Sequence, residues 1–242
     1  RDHDPLENLW IPFTPNRAFR RDPALFVRAE GLHYWTDAGQ RVLDAVSGLF
    51  CVPLGHGRPE IADAVAAQLR ELDYAGGFLR GHPKAFELAR RVAELTPPGL
   101  DRVFFTSSGS EAVDTAMKIA LAYHRARGEG GRTMFVSRER AYHGVNMGGV
   151  ALSGILRNRE SFGPGVAGVV HMRHTALPEN RMTRGQPARG AELAEDLARL
   201  CALHGGSNIA AVFLEPIAGS TGCLPPPRGY LERVREICSE HG

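Results

Sequence analysis

The chain has 242 residues, 43% hydrophobic and 23% charged, a composition that excludes a disordered or fibrous protein and allows a sizeable buried core. With 29 Lys and Arg against 27 Asp and Glu, the formal charge of +2 excludes the strong field that collects nucleic acid and leaves room for a local small-anion site. No apolar run approaches the ~20 residues of a bilayer span, and residues 1–10 hold no signal-peptide core, so a soluble cytoplasmic protein without a membrane partner is expected.

In chain order, residues 25–46 predict a small antiparallel meander: Leu25-Phe26-Val27 and His33-Tyr34-Trp35, the turn Asp37-Ala38-Gly39-Gln40, then Val42-Leu43. After Gly55-His56-Gly57 the period changes. Pro59 suits a first helical position, and Ile61, Val65, Leu69 and Leu72 fall on one helical face predicted to turn inward. A second helix starts at Pro83, carries Phe86, Ala89 and Val92 inward and ends near Pro97-Pro98. From there apolar runs alternate with helical patterns: a strand at 103–105, a helix over 109–126, strands at 133–136 and 168–170, a helix over 189–203, a strand at 209–214 and a helix over 228–240. Repeated βαβ units of this kind predict an α/β fold with a mostly parallel sheet flanked by helices. Function should concentrate in the loops at the carboxyl ends of its strands, after residues 105, 136 and 214.

Three such loops carry side chains worth weighing. Thr106-Ser107-Ser108-Gly109-Ser110-Glu111 joins a predicted strand to a helix N-terminus, where free amides and the helix dipole favour a phosphate. Ser108 and Glu111 equally form an S-x-x-E capping box, which needs no ligand. No Gly-Lys-Ser/Thr or G-x-G-x-x-G accompanies the turn, so a nucleotide is the weaker ligand. Tyr142-His143-Gly144 could set an aromatic against a flat ring, or simply pack at the sheet edge. Glu215-Pro216 places a carboxylate at the same rim, where a turn role serves as well. His171 and His174 are spaced H-x-x-H without a third ligand, and no metal is expected. Cys51, Cys201, Cys223 and Cys238 lack CxxC spacing and read as reduced thiols. Lys84 and Lys118 are the only lysines, which limits the amine chemistry open to the chain.

Taken together, the segments resemble class III, omega-amino-acid:pyruvate-type aminotransferases of pyridoxal-phosphate fold type I. The resemblance begins at Trp10-Ile11-Pro12-Phe13-Thr14 and passes through Gly48-Leu49-Phe50-Cys51-Val52 and Gly55-His56-Gly57. It continues through Phe104 to Asp114, Tyr142-His143-Gly144, Leu214-Glu215-Pro216 and Gly219-Ser220-Thr221-Gly222. It implies pyridoxal 5'-phosphate as cofactor, with its phosphate held by Ser108, Gly109 and Ser110, Tyr142 stacked on the ring with His143 beside it, and Glu215 near the ring hydroxyl. It implies a substrate pocket drawing on Phe13, Leu49 and Phe50, the last standing where close relatives usually carry Trp. The small-molecule partners implied are an amino donor and a keto acid such as pyruvate. Self-association as a homodimer or a tetramer of dimers is also implied, through the loop Gly76-Gly77-Phe78-Leu79-Arg80. Residues 1–56 would contribute to a small domain and 57–242 would form the first part of the large cofactor-binding domain. The family's ring-nitrogen Asp and Schiff-base Lys belong to segments after the equivalent of residue 242, so no catalytic residue is assigned in this chain. Two alternatives stand beside this reading: an inactive remnant binding a phosphate ligand or a partner, and a nucleotide-binding α/β module using the Ser108 turn.

Overall fold

The computed structural model describes residues 6–242, so residues 1–5 of the stretch read as lacking a signal peptide lie outside it. Two compact units divide after Arg102.

The first unit contains the expected meander. Strands β1 (Phe26–Glu30), β2 (His33–Thr36) and β3 (Arg41–Leu43) pair antiparallel in that order. The alternation of the pleat sets Phe26 against Tyr34, ring centroids 4.5 Å apart, and Arg28 over the Trp35 ring at 4.3 Å. Asn16 opens the short helix α1 (Asn16–Phe19) and bonds through its amide to both N–H and C=O of Ile11. After β3 comes α2 (Ser47–Phe50), a single turn wound in the left-handed sense, with φ of 51°, 57°, 59° and 68° at Ser47, Gly48, Leu49 and Phe50. Three of these residues carry a Cβ, and each costs about 1–2 kcal/mol in that conformation, so surrounding contacts must hold the turn.

Helices α3 (Pro59–Glu71) and α4 (Pro83–Ala93) begin at their prolines as expected, since a first-turn residue needs no N–H. Their apolar stripes differ from expectation. Ile61, Val65, Leu69, Leu72 and Phe86 are exposed, while Ala89 and Val92 are half-buried. Periodicity forms the stripe, but burying it requires an opposing surface, and no described residue covers this one.

The second unit is a three-stranded parallel sheet in the order β5-β4-β6, with β4 at Met134–Arg138, β5 at Val169–Met172 and β6 at Ile209–Val212. Side chains of the central strand alternate between two cores. Phe135 joins Met117 and Leu152 beneath α5 (Gly109–Ala126) and α6 (Met147–Leu152). Val136 joins Leu197, Tyr230 and Ile237 beneath α7 (Glu195–His204) and α8 (Tyr230–His241). Burial on both faces explains why these strands read as unbroken apolar runs.

The strand expected at 103–105 does not form: these residues have no ladder, and Phe104 and Phe105 are 69% and 47% exposed. A strand exists only through pairing, and no described strand pairs with residues 103–105. The run expected over 209–214 leaves the strand after Val212, with one further bond from Phe213 N–H to the Val136 carbonyl. The outer side of β6 is unpaired among the described strands, and an apolar cavity of about 510 Å³ lies beside it, lined by Ile119, Tyr123, Ile209 and Ile237 among others. No helix among the described residues is long and apolar enough to cross a membrane.

Candidate functional site

The turn before α5 has the predicted cap geometry. The Ser108 hydroxyl accepts from the Glu111 N–H at 3.1 Å, and the Glu111 carboxylate accepts from the Ser107 N–H at 2.9 Å, one residue earlier than in a standard capping box. The cap engages only part of the helix end. The amides of Gly109 and Ser110 have no partner among the described residues, at the positive end of an 18-residue helix and on exposed or half-exposed backbone. The cap therefore leaves two free amides in the same turn, which an anion can meet without displacing it.

A hydrogen bond joins this turn to the loop after β4. The Ser110 Oγ accepts from the Val145 N–H at 2.9 Å, which draws Tyr142-His143-Gly144 up to the helix end. Gly144 makes the approach possible, because its φ is +104° and a Cβ there would lie 2.6 Å from the Ser110 Oγ and 2.8 Å from its Cα. The far end of the loop is pinned to Gly154 by Arg140 N–H to the Gly154 carbonyl and Gly154 N–H to the Ala141 carbonyl. A Cβ at Gly154 would fall 2.3 Å from the Arg138 carbonyl oxygen and from the Arg140 nitrogen.

Glu215, in the loop after β6, closes the third side. One carboxylate oxygen accepts from the Tyr142 N–H at 3.1 Å and the other from the Gly219 N–H at 3.4 Å, so the side chain ties the two rim loops together. Arg138, at the end of β4 and 1% exposed, donates from Nη2 to the Glu215 carbonyl at 3.1 Å and lies over the Tyr230 ring at 5.7 Å. Sequence reading passed over this residue. Its signal was an arginine two residues after the apolar run Met134-Phe135-Val136, since a buried guanidinium must serve a structural or chemical purpose. Asp114 was missed as well; it accepts from the Gly149 N–H at 3.2 Å and holds α6 against α5.

His143 is buried, its ring edge-on to Phe213 at 6.4 Å, and its Nε2 has no partner among the described residues. Burial, with added repulsion from the Arg138 and His171 charges, pushes its pKa down to about 4, so the imidazole is neutral at physiological pH. His171 is likewise lowered, chiefly by burial, and its Nε2 lies 3.2 Å from the Leu152 carbonyl. His174 Nδ1 accepts from the Ala176 N–H.

Within the second unit the structure thus assembles Ser108, Gly109, Ser110, Tyr142, His143 and Glu215 around one rim. Phe13, Leu49 and Phe50 belong to the first unit, where they are exposed and in the left-handed conformation. Lys118 is exposed on α5, nine residues and therefore about 13 Å beyond Gly109 along the axis, and Lys84 is exposed on α4.

A parallel α/β sheet with a helix end of free amides and an aromatic loop at its carboxyl rim is the kind of domain that can hold a phosphate-bearing cofactor. The family model Aminotransferase class-III matches residues 16–242, and the chain belongs to that family. It is 57% identical over 237 residues to an omega-aminotransferase of Caulobacter vibrioides, covering 98% of this chain and 54% of the relative. It is 50% identical, again over 237 residues, to an omega-amino acid–pyruvate aminotransferase of Pseudomonas putida, covering 98% and 53%. Among solved structures, the pyridoxal-phosphate-bound amine transaminase of an uncultivated Pseudomonas species superposes with a TM-score of 0.86 at 33% identity, covering all of this chain and 55% of that one. The chain spans about half the length of the curated relatives it matches.

The site fits the cofactor that this family implies. Two free amides and the Ser108 hydroxyl hydrogen can meet a phosphate at the end of α5, and Ser110 already couples that position to the loop bearing Tyr142.

Proposed function

We propose that this chain is the cofactor-binding part of an aminotransferase that moves an amino group from an omega-amino acid or amine to a keto acid such as pyruvate. The observation that carries the reading is the bond from Val145 N–H to Ser110 Oγ, which couples the anion-binding turn to the Tyr142 loop. Gly109 and Ser110 would hold the phosphate through their amides, and Ser108 through its hydroxyl. Tyr142 would present its ring as the stacking face, held at the height set by the Glu215 clip. His143 stays neutral beside it and so adds no positive charge to the site. Bound pyridoxal phosphate supplies the electron sink that lets a proton leave the carbon bearing the amine. Phe13, Leu49 and Phe50 would line the donor pocket. The division into residues 1–56 for a small domain and 57–242 for the start of the large one belongs to the same proposal, although compactness alone divides the chain after Arg102.

Titration with pyridoxal phosphate tests the reading. Replacing Ser110 with Ala removes the acceptor for Val145 N–H and should weaken cofactor binding about tenfold, as expected for a lost hydrogen bond that organises an anion site. Unchanged affinity would remove Ser110 from the site.

The positions of Lys84 and Lys118 favour a second reading for these residues taken alone, a site that binds phosphate without turnover. Borohydride reduction with peptide mapping separates the two readings. A stoichiometric adduct on Lys84 or Lys118 with measurable turnover would contradict the view that the covalent amine lies in other sequence.

A further inference from the structure

The left-handed turn α2 is held by a small, solvent-shielded network. One Asp44 carboxylate oxygen accepts from the Gly48 N–H at 2.8 Å, and the other from the Val46 N–H at 3.2 Å. His56 Nε2 lies 2.7 Å from the same oxygen that serves Gly48, and the Asp44 and His56 side chains are only 3% and 12% exposed, respectively. His56 is itself fixed to the β1–β2 hairpin, because its backbone exchanges hydrogen bonds with Gly31 in both directions, at 2.8 and 3.0 Å. Asp44 is tied to the same hairpin by its N–H to the Leu32 carbonyl at 2.8 Å. The Tyr34 ring, 4.4 Å from that of His56, lies close beneath the turn, since a Cβ on Gly48 would sit 3.3 Å from the Tyr34 hydroxyl and 2.9 Å from Val52 Cγ2. Leu49 and Phe50 project from the strained turn and are 74% and 68% exposed. Strain maintained by a shielded Asp44–His56 hydrogen bond, in order to display two apolar side chains, has no value for packing within the unit and points to function.

We propose that Asp44 is a positioning residue. With His56 it clamps α2 to the β1–β2 hairpin and so sets the direction in which Leu49 and Phe50 meet the apolar part of the amino donor. The donor half of this inference rests on the aminotransferase reading above; the clamp itself does not. The carboxylate is the essential element. It accepts from two backbone amides at once, and both the His56 hydrogen bond and those amides hold its pKa below the usual aspartate value.

Two measurements on the full-length protein test the proposal separately. The first is amide hydrogen exchange at Val46 and Gly48 in Asp44→Asn, read against the amides of α3 as an internal reference. Loss of the charge-assisted bonds should speed exchange about tenfold or more at the turn and leave α3 unchanged. His56→Ala keeps the carboxylate on its two amides and should act in the same direction more weakly, so it serves if Asp44→Asn fails to fold. Exchange at the turn that matches the unmodified protein in both variants overturns the clamp. The second is the ratio of kcat/KM for β-alanine to that for 1-phenylethylamine, measured beside pyridoxal phosphate affinity. Asp44→Asn should move the ratio about fivefold or more, in the direction that Phe50→Ala moves it, with cofactor affinity retained. A ratio that responds to Phe50→Ala and not to Asp44→Asn overturns the positioning role. If the unmodified protein transaminates neither donor, the aminotransferase reading and the donor role fall together, and the exchange result still decides the clamp.

Discussion

Single residues at this rim do more than one task. Ser108 caps a helix and leaves its hydroxyl hydrogen to donate, while Glu215 spends both carboxylate oxygens on backbone amides of two loops. His143 is the residue whose environment has the clearest consequence for pH. Its folded-state pKa of about 4 lies below the ordinary 6.5, so between those values the unfolded chain binds the extra proton and the folded chain does not. The stability it contributes is complete above about pH 6.5 and lost as pH falls toward 4, amounting to about 3 kcal/mol over the window. His171 acts in the same direction. Urea unfolding at intervals from pH 5 to 7.5 checks this, because paired carboxylates titrate below that range. In His143→Gln the slope should fall, and an unchanged slope would show that His143 is not the buried proton acceptor.

Among the elements, α5 links the core to the site. Val113, Met117, Ala120 and Leu121 pack toward Phe135 and Leu152, so the position of its first turn is set by the sheet. Removing the Ser108 cap leaves the Glu111 N–H without its acceptor and should cost about 1 kcal/mol. For a chain of this size that is a fall of about 3 °C in Tm, measurable by calorimetry. Because its hydroxyl is also proposed to meet the phosphate, Ser108→Ala should weaken cofactor binding as well, and unchanged affinity would restrict Ser108 to the cap.

For the whole molecule, the exposed apolar surface is the leading feature. Phe78 and Leu79 are 94% and 97% exposed on the loop before α4, the kind of apolar surface that a partner could cover. The homodimer proposed from the family resemblance would cover them. Light scattering of a full-length, cofactor-loaded protein should give twice the chain mass, and Phe78→Asp with Leu79→Asp should shift it to the monomer. A monomer before any substitution overturns the assignment.

The sequence by itself determined the α/β class, the proline-led helix starts, the two-sided burial of the central strands and the capped turn at Ser108. All of these rest on short-range signals: a period of two or of 3.6, a proline at a first turn, a hydroxyl three residues before an acid. Tertiary structure decided what depends on contacts distant in the chain. The Ser110 bond spans 35 residues, the Tyr142 clip 73 and the Arg138 bond 77, and no periodicity encodes them. It also decided that 103–105 stays unpaired and that the stripe of α3 and Phe86 of α4 remain exposed, because a pattern states which face is apolar and only a neighbouring surface can bury it.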